Sequence, residues 1–293
     1  RSVSAFLLNR SSDLENWVMS AHKNGSSTVA NGEFAGRTLR EVYLEHPELG
    51  GKNCAGFSDF PVLIKFIDAA ADLSVQVHPD DAYCLKKGSG AGKTESWYIL
   101  DCEPGAYLLL GFEKDITREQ FRQSITDGTL TDYVKKVPVK KGDFFFIESG
   151  TLHAICKGIL LAEVQQNSDT TYRIYDYGRL GFDGKPRELH VEDAVNVTHT
   201  GVYKNPCTPK KDGNVTNLVA CPFFTERVLD INGSFNGTAD EKSFVSLLIL
   251  DGAGSLECAG ETLEFSKGGS IFIPANCGEY KINGEAKILE TRV

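Results

Sequence analysis

The sequence predicts a mainly β protein built as two small barrels, the second the smaller, with short helical insertions, and three observations lead there. Apolar runs of strand length recur along the chain. Gly, Asp, Asn and Pro punctuate them at strand-like intervals. One strand–turn–strand rhythm also occurs twice, once in each half.

Taken in order, PVLIKFIDA, DLSVQVHP, ESWYILDC, GAYLLLGF, GDFFFIES and GILLAEVQQ read as strands of the first half. KSFVSLLILDG, GSLECAG and GSIFIPA read as strands of the second. Two helical patches interrupt them. TREQFRQSITDGTLTDYVKK has an apolar stripe of Phe121, Ile125, Leu130 and Val134 beginning after Thr117, a good N-cap. RELHVEDAVNV is shorter, with Leu189, Ala194 and Val195 on a rough helical face. The segment 204–217 is rich in Pro, Lys, Asn and Gly, which places a linker at 204–212 between a domain at 1–203 and a second at 213–293.

The repeat runs from Gly142 through Glu148 and Gly150 to His153, and again from Gly268 through Pro274 and Asn276 to Glu279, with identical spacing. Only the first copy keeps a histidine. The second is therefore expected to pack and shape rather than to do chemistry.

With 293 residues, 41% of them hydrophobic and 24% charged, the chain suits a globular protein of one large or two modest domains. No run approaches the roughly 18 apolar residues of a membrane span. The net charge of −9 argues against a general nucleic-acid binder, which needs a basic face. An anionic small molecule would need a local positive site instead. The eight cysteines include no CxxC pair, so reduced, mostly buried thiols in a cytoplasmic protein are expected. Arg1 opens the chain, and RSVSAFLLNR lacks a signal-peptide design, so the start is expected to be trimmed or the chain to be part of a longer product.

LSVQVHPDDAY raises the functional question. Strand alternation puts Val75 and Val77 on one face and Gln76 and His78 on the other. Alone, a histidine on an apolar strand reads as a satisfied core residue. His153, however, follows the turn SGT, and Glu95 opens the strand ESWYIL, where a buried carboxylate is costly unless paired or liganded. Gln76, His78, Glu95 and His153 supply two oxygen-type and two nitrogen donors, a set that zinc accepts. Imidazole and carboxylate suit iron and manganese as well. These ligands are expected to come from neighbouring strands. Lys93, two residues before Glu95, shares its face and could exchange protons or hold a phosphate.

A second polar run, EVQQNSDTTYRIYDYGR, places Arg173 among Tyr172, Ile174 and Tyr175. Its guanidinium reads either as an ion pair with Asp169 or Asp176 or as a two-pronged clamp on an anion.

The rhythm ending at His153 resembles the second motif of the cupin superfamily, with Glu148 in place of the usual proline. FPVLIKFIDAAADLSVQVHPDD, GKTESWYIL, GTLHAI, LLAEVQQNSDTTYRIYDYGR and GKPRELH together resemble the type I mannose-6-phosphate isomerases (phosphomannose isomerases) of the short bacterial form. The resemblance covers 17 to about 197 in the family's order, and the remainder resembles its small C-terminal domain. It implies a cupin-type jelly-roll barrel plus a second, smaller cupin-like β domain without metal ligands. It also implies interconversion of mannose 6-phosphate and fructose 6-phosphate through an enediol or enediolate.

By the family's pattern, Gln76, His78, Glu95 and His153 would bind one Zn2+ per chain, and Lys93, Asp169 and Arg173 would line the active site. Lys93 and a water at the metal stand equal as proton carrier, with Asp169 orienting or relaying. Ser74, Arg173 and Lys93 are the candidates for the phosphate. The partner is a sugar phosphate, in a monomer or weak homodimer. One departure stands out: family members usually begin with a Trp-Gly-Gly segment, and RSVSAFLLNRSSDLENW holds none. Two other classes compete: a non-enzymatic sugar-binding or regulatory cupin, or a truncated inactive isomerase, and a mononuclear-iron cupin dioxygenase. The dioxygenases typically show His-x-His where this chain has Gln-x-His.

Overall fold

The computed structural model describes residues 14–181 and 184–293. The region before Leu14, where the Trp-Gly-Gly departure falls, lies outside them. The strands of the first part are β1 (Leu14–Met19), β2 (Ala21–His22), β3 (Gly25–Ser26), β4 (Val62–Ala69), β5 (Val75–Val77) and β6 (Glu95–Cys102). They continue as β7 (Tyr107–Phe112), β8 (Val134–Pro138), β9 (Phe144–Ile147), β10 (His153–Ile155), β11 (Ile159–Gln166) and β12 (Tyr172–Tyr175). Then follow β13 (Lys210–Asp212), β14 (Val215–Ala220), β15 (Thr225–Ala239), β16 (Val245–Cys258), β17 (Glu261–Ser266), β18 (Ser270–Ile273) and β19 (Gly278–Arg292). Four α-helices are present among the described residues: α1 (Leu39–Glu45), α2 (Asp81–Lys87), α3 (Arg118–Thr126) and α4 (Val191–Val197).

Two compact units divide the chain. One groups Trp17–Lys65 with Cys207–Val293, and the other contains Phe66–Pro206. The division thus differs from a single cut at 204–212, because early residues join the C-terminal segment through long-range contacts. Asn53 Nδ2 donates to Val293 O at 2.8 Å, and the Phe60 and Phe244 rings lie 5.1 Å apart. The proposed linker also ends in a strand, since Lys210–Asp212 pairs with Val215–Asn217.

In the Phe66–Pro206 unit, β12-β5-β10-β7-β8 form one sheet, and β4-β11-β6-β9 belong to a second whose full order is β1-β4-β11-β6-β9. Trp97, Ile99, Phe145, Ile147 and Leu161 from the second sheet share a buried cluster with Leu108, Leu110 and Ile155 from the first. The two sheets therefore pack face to face, as a β-sandwich must to bury its alternating apolar faces. The outer face of the first sheet is buried as well. Val75, Val77, Leu109 and Ala154 pack there with Phe121 of α3 and with Ala194 and Val195 of α4. Both faces of β5 are thus enclosed, and Gln76 and His78 look into the interior between the sheets.

The local elements follow from their residues. Thr117 caps α3 by accepting from Gln120 N, and the Gln120 side chain returns to Thr117 N, a complete capping box. The apolar stripe continues past the helix, however. Gly128, at φ 70°, ends it, Leu130 lies in a 3-10 turn and Val134 opens β8. Helix α2 is capped by Asp80, whose side chain accepts from Tyr83 N, and strand character ends at Val77, earlier than alternation alone suggests. KSFVSLLILDG and GSLECAG merge into the single strand β16, with its register shifted between Ile249 and Asp251. A bulge absorbs the turn-like DGAG there.

The internal repeat is real at the backbone level. Gly142 and Gly268 both take positive φ, 90° and 82°. Gly150 and Asn276 do the same at 87° and 65°, so both hairpins turn at the same place with a left-handed residue. At Gly150 a Cβ would also approach His199 to 2.7 Å, which leaves glycine as the residue that fits. All eight cysteines are free thiols, but only Cys54, Cys84 and Cys156 are buried and the others are half-buried. The expectation of mostly buried thiols is corrected on that point.

Candidate metal centre

Register places the donors. His153 on β10 is the Cα partner of Gln76 on β5, and Arg173 on β12 is the partner of Gln76 on its other side. The three side chains share one face because register partners point the same way. Glu95 comes from the opposite sheet, where it pairs with Gln165 on β11 and with Ile147 on β9. The cluster therefore bridges two sheets rather than lying on neighbouring strands as expected.

His78, Glu95 and His153 are buried, and one ligand atom from each lies within 4.8 Å of the others. Nε2 of His78 is 3.4 Å from Glu95 Oε2, and Nε2 of His153 is 3.4 Å from Glu95 Oε1. Each ring is oriented from behind by a backbone carbonyl. His78 Nδ1 meets Thr170 O at 2.9 Å, and His153 Nδ1 meets Thr151 O at 2.8 Å. A carbonyl can only accept, so Nδ1 bears the proton of the neutral ring and Nε2 turns its lone pair inward. Burial, aided by the Lys93 charge, lowers the His78 pKa to about 3, and burial lowers that of His153 too. Both rings are therefore neutral bases at physiological pH.

Burial pushes the Glu95 carboxyl upward, yet Lys93 foremost and the histidines after it hold it well below the carboxylate range. Its two buried oxygens accept no hydrogen bond among the described residues. Lys93 Nζ stands 2.9 Å from Oε2, an ion-pair approach without hydrogen-bond angles, and 3.1 Å from His78 Nε2. A buried carboxylate that accepts no hydrogen bond among the described residues, facing two neutral imidazoles whose Nε2 lone pairs point inward, fits a divalent cation. Donors held at about 2.1 Å in a tetrahedron stand roughly 3.4 Å apart, close to the spacing here.

Gln76 is half-buried at the edge of this group. Its Oε1 accepts from Ser74 Oγ at 3.1 Å, and its Nε2 lies 3.3 Å from His153 Nε2. A half-turn of the amide would present the oxygen instead. The Ser74 hydroxyl, expected at the phosphate, is here spent on orienting Gln76.

Arg173 does not pair with Asp176. That carboxylate is gripped by Arg179 at 2.6 Å and by Arg187 at 2.5 Å. Arg173 instead donates from Nη1 to Glu188 O at 3.2 Å, and its buried Nε has no partner among the described residues. Burial, and then the charge of Arg187, depress its pKa. Three guanidiniums around one carboxylate leave a surplus of positive charge suited to an anion. Asp169 is exposed and lies outside the group of ligand atoms. Its neighbours Ser168 and Thr170 anchor the loop, Ser168 Oγ to Ala91 O at 2.8 Å and Thr170 O to His78.

Sequence reasoning missed Gln165. It is fully buried, and its Nε2 donates to Gln166 O at 2.8 Å and to Ser168 O at 2.7 Å. Those two bonds fix the amide and leave Oε1 buried on the Glu95 face, without a partner among the described residues. The signal was present in EVQQ, where Glu163 and Gln165 alternate onto one face of an otherwise apolar strand. The Trp97 ring also lies edge to face with that of His153, their centroids 5.3 Å apart.

Comparison with known proteins agrees with this geometry. Residues 7–98 match the family described as phosphomannose isomerase type I, catalytic domain, and residues 214–293 match the mannose-6-phosphate isomerase cupin domain. A probable mannose-6-phosphate isomerase, GmuF of Bacillus subtilis, is 41% identical over 94% of this chain and 88% of its own length. The mannose-6-phosphate isomerase of Streptococcus mutans is 40% identical over 94% of this chain and 87% of its own. The crystal structure of a Bacillus subtilis mannose 6-phosphate isomerase superposes with a TM-score of 0.87 at 36% identity, covering 95% of this chain and 89% of that one. With a catalytic-domain and a cupin-domain model matched and relatives similar along almost the whole chain, this protein belongs to the type I mannose-6-phosphate isomerase family.

Proposed function

We propose that this chain is a zinc-dependent aldose–ketose isomerase interconverting mannose 6-phosphate and fructose 6-phosphate through an enediol or enediolate. The observation supporting it most is the buried Glu95 carboxylate, which accepts no hydrogen bond among the described residues and faces the inward Nε2 atoms of His78 and His153. With Gln76 as the fourth donor these residues would hold one Zn2+ per chain. Bound there, zinc would supply Lewis acidity to the oxygens of the open-chain sugar.

The chain's own groups account for the rest. Isomerisation needs a proton carried between two adjacent carbons while the neighbouring oxygen gains and loses charge. Lys93 is the side chain best situated to move that proton, because its Nζ reaches the His78 and Glu95 donor atoms. Arg173, one strand from Gln76 with an uncommitted Nε, stabilises the developing oxyanion or the phosphate. Arg179 and Arg187 extend the positive surplus for the anionic end of the substrate. Asp169 orients or relays at the rim. Burial around the cluster keeps bulk water from the reacting carbons. We further infer a cytoplasmic monomer or weak homodimer; no helix among the described residues is long and apolar enough to cross a membrane.

The test is an isomerase assay before and after chelation, with metal content measured in parallel. Activity should vanish with the metal and return best with zinc. Full turnover in metal-free protein would end the proposal.

A further inference from the structure

Two thiols in the second barrel face one another. Cys258 ends β16, and Cys277 lies in the turn between β18 and β19, with their Sγ atoms 2.9 Å apart. The register brings them together: Cys258 is the Cα partner of Tyr280, three residues beyond Cys277. Both are half-buried and pack on the barrel's apolar cluster of Leu256, Tyr280 and Ile282. Cys54, Cys102 and Cys221, by contrast, direct their thiols to the backbone carbonyls of Gly50, Val139 and Phe224. A disulfide needs sulfurs about 2.05 Å apart. At 2.9 Å the sulfurs already stand within about 1 Å of that bond length.

We propose that Cys258 and Cys277 form a modification site, a dithiol that closes to an intramolecular disulfide when it meets a small disulfide reagent. One thiolate attacks a sulfur of the reagent and expels its first thiol. The other thiolate then displaces that group from the mixed disulfide, expelling the second. The protein loses two electrons and two protons, and the reagent disulfide is reduced to two thiols.

The surroundings select the reagent. Cys258 lines an open hollow with Glu257, Glu261 and Glu279, against the single ammonium of Lys281. This acidic rim favours a cationic or uncharged disulfide over an anionic one. Glu279 stands where the first barrel has His153, so the second barrel offers a dithiol rather than metal donors at this end. Burial raises the Cys258 thiol to about 12, which makes the reaction slow near neutrality and faster in mild alkali. Closure ties the end of β16 to the start of β19 across 19 residues of chain. That constrains the unfolded chain and stabilises the fold.

The holoprotein is treated with cystamine, or separately with oxidised glutathione, and its peptides are mapped. Expected are a Cys258–Cys277 cross-linked peptide, faster closure with the cationic reagent, and a melting temperature higher by about 5 °C that reductant reverses. Isomerase activity should not change, since neither thiol belongs to the metal cluster. Cys277→Ser and, independently, Cys258→Ser should abolish the shift while retaining the unmodified protein's melting temperature. Mixed disulfides that never close, or cross-links made elsewhere, would overturn the proposal. Because these readouts are peptides and stability, their failure is distinguishable from failure of the isomerase reading.

Discussion

Gln76 and His153 are Cα partners on the antiparallel pair β5–β10, and Gln76 Nε2 approaches His153 Nε2 to 3.3 Å. The amide thus sits against the nitrogen that would bind a metal, at the half-exposed edge of an otherwise buried set. Replacing it should weaken metal binding without dismantling the site. Gln76→Leu is expected to lower metal affinity by about 10- to 100-fold, read by competition with a chelator. His153→Ala should lower it further. Unchanged affinity in both variants would remove these residues from the ligand set.

Arg173 shares the row with Gln76 and has an uncommitted buried Nε. Arg173→Ala should reduce kcat by at least about a hundredfold, as loss of an oxyanion donor does. Metal content should be unchanged. Arg173→Lys should recover only part, since an ammonium lacks the planar fork. Near-normal kinetics in the alanine variant would leave Arg173 with a structural role.

Gln165 offers a fixed acceptor beside Glu95. Gln165→Met preserves volume and deletes that acceptor, together with the Nε2 bonds to Gln166 O and Ser168 O. It should lower kcat/KM by about tenfold or more, the worth of one buried hydrogen bond to substrate. The metal:protein ratio should stay the same. A loss of metal with unchanged kcat/KM per bound ion would reassign Gln165 to supporting Glu95.

Stability should depend on pH through Glu290 on β19. Its buried carboxylate accepts from Arg227 at 2.9 Å, Arg292 at 2.8 Å and the Tyr280 hydroxyl at 2.9 Å. Burial opposes its charge, but the two arginines prevail and hold its pKa below 4.5. A carboxyl lowered by folding binds fewer protons in the native state, so its stabilisation is present above the unfolded value near 4.5 and is lost as pH falls through the lower folded value. Glu290→Gln should therefore cost about 3 kcal/mol near neutrality. The gap from the parent should narrow below pH 4.5. Urea unfolding at several pH values checks this, and a gap independent of pH would contradict it.

Strands were legible because alternation is a local property. β4, β6, β7, β9 and β11 fall inside the apolar runs that announced them. The turn residues Gly150 and Asn276 were legible for the same reason, since a left-handed turn selects its residue locally. Helices α1 and α2 escaped because each is only two turns long and is set by a cap, Thr38 and Asp80, more than by an apolar stripe. Gln165 escaped because a glutamine on a strand names neither its orientation nor its neighbour.

By itself the sequence determined the donor types, the face on which Gln76 and His78 lie, and the hairpin that delivers His153. Only the tertiary structure decided that Glu95 reaches them from the opposite sheet, that Thr170 and Thr151 carbonyls set the imidazole tautomers, and that Asp176 belongs to Arg179 and Arg187 rather than to Arg173. Alternation is written into consecutive residues. Which sheets face each other, and which charges then meet, depends on burial of surfaces far apart in the chain.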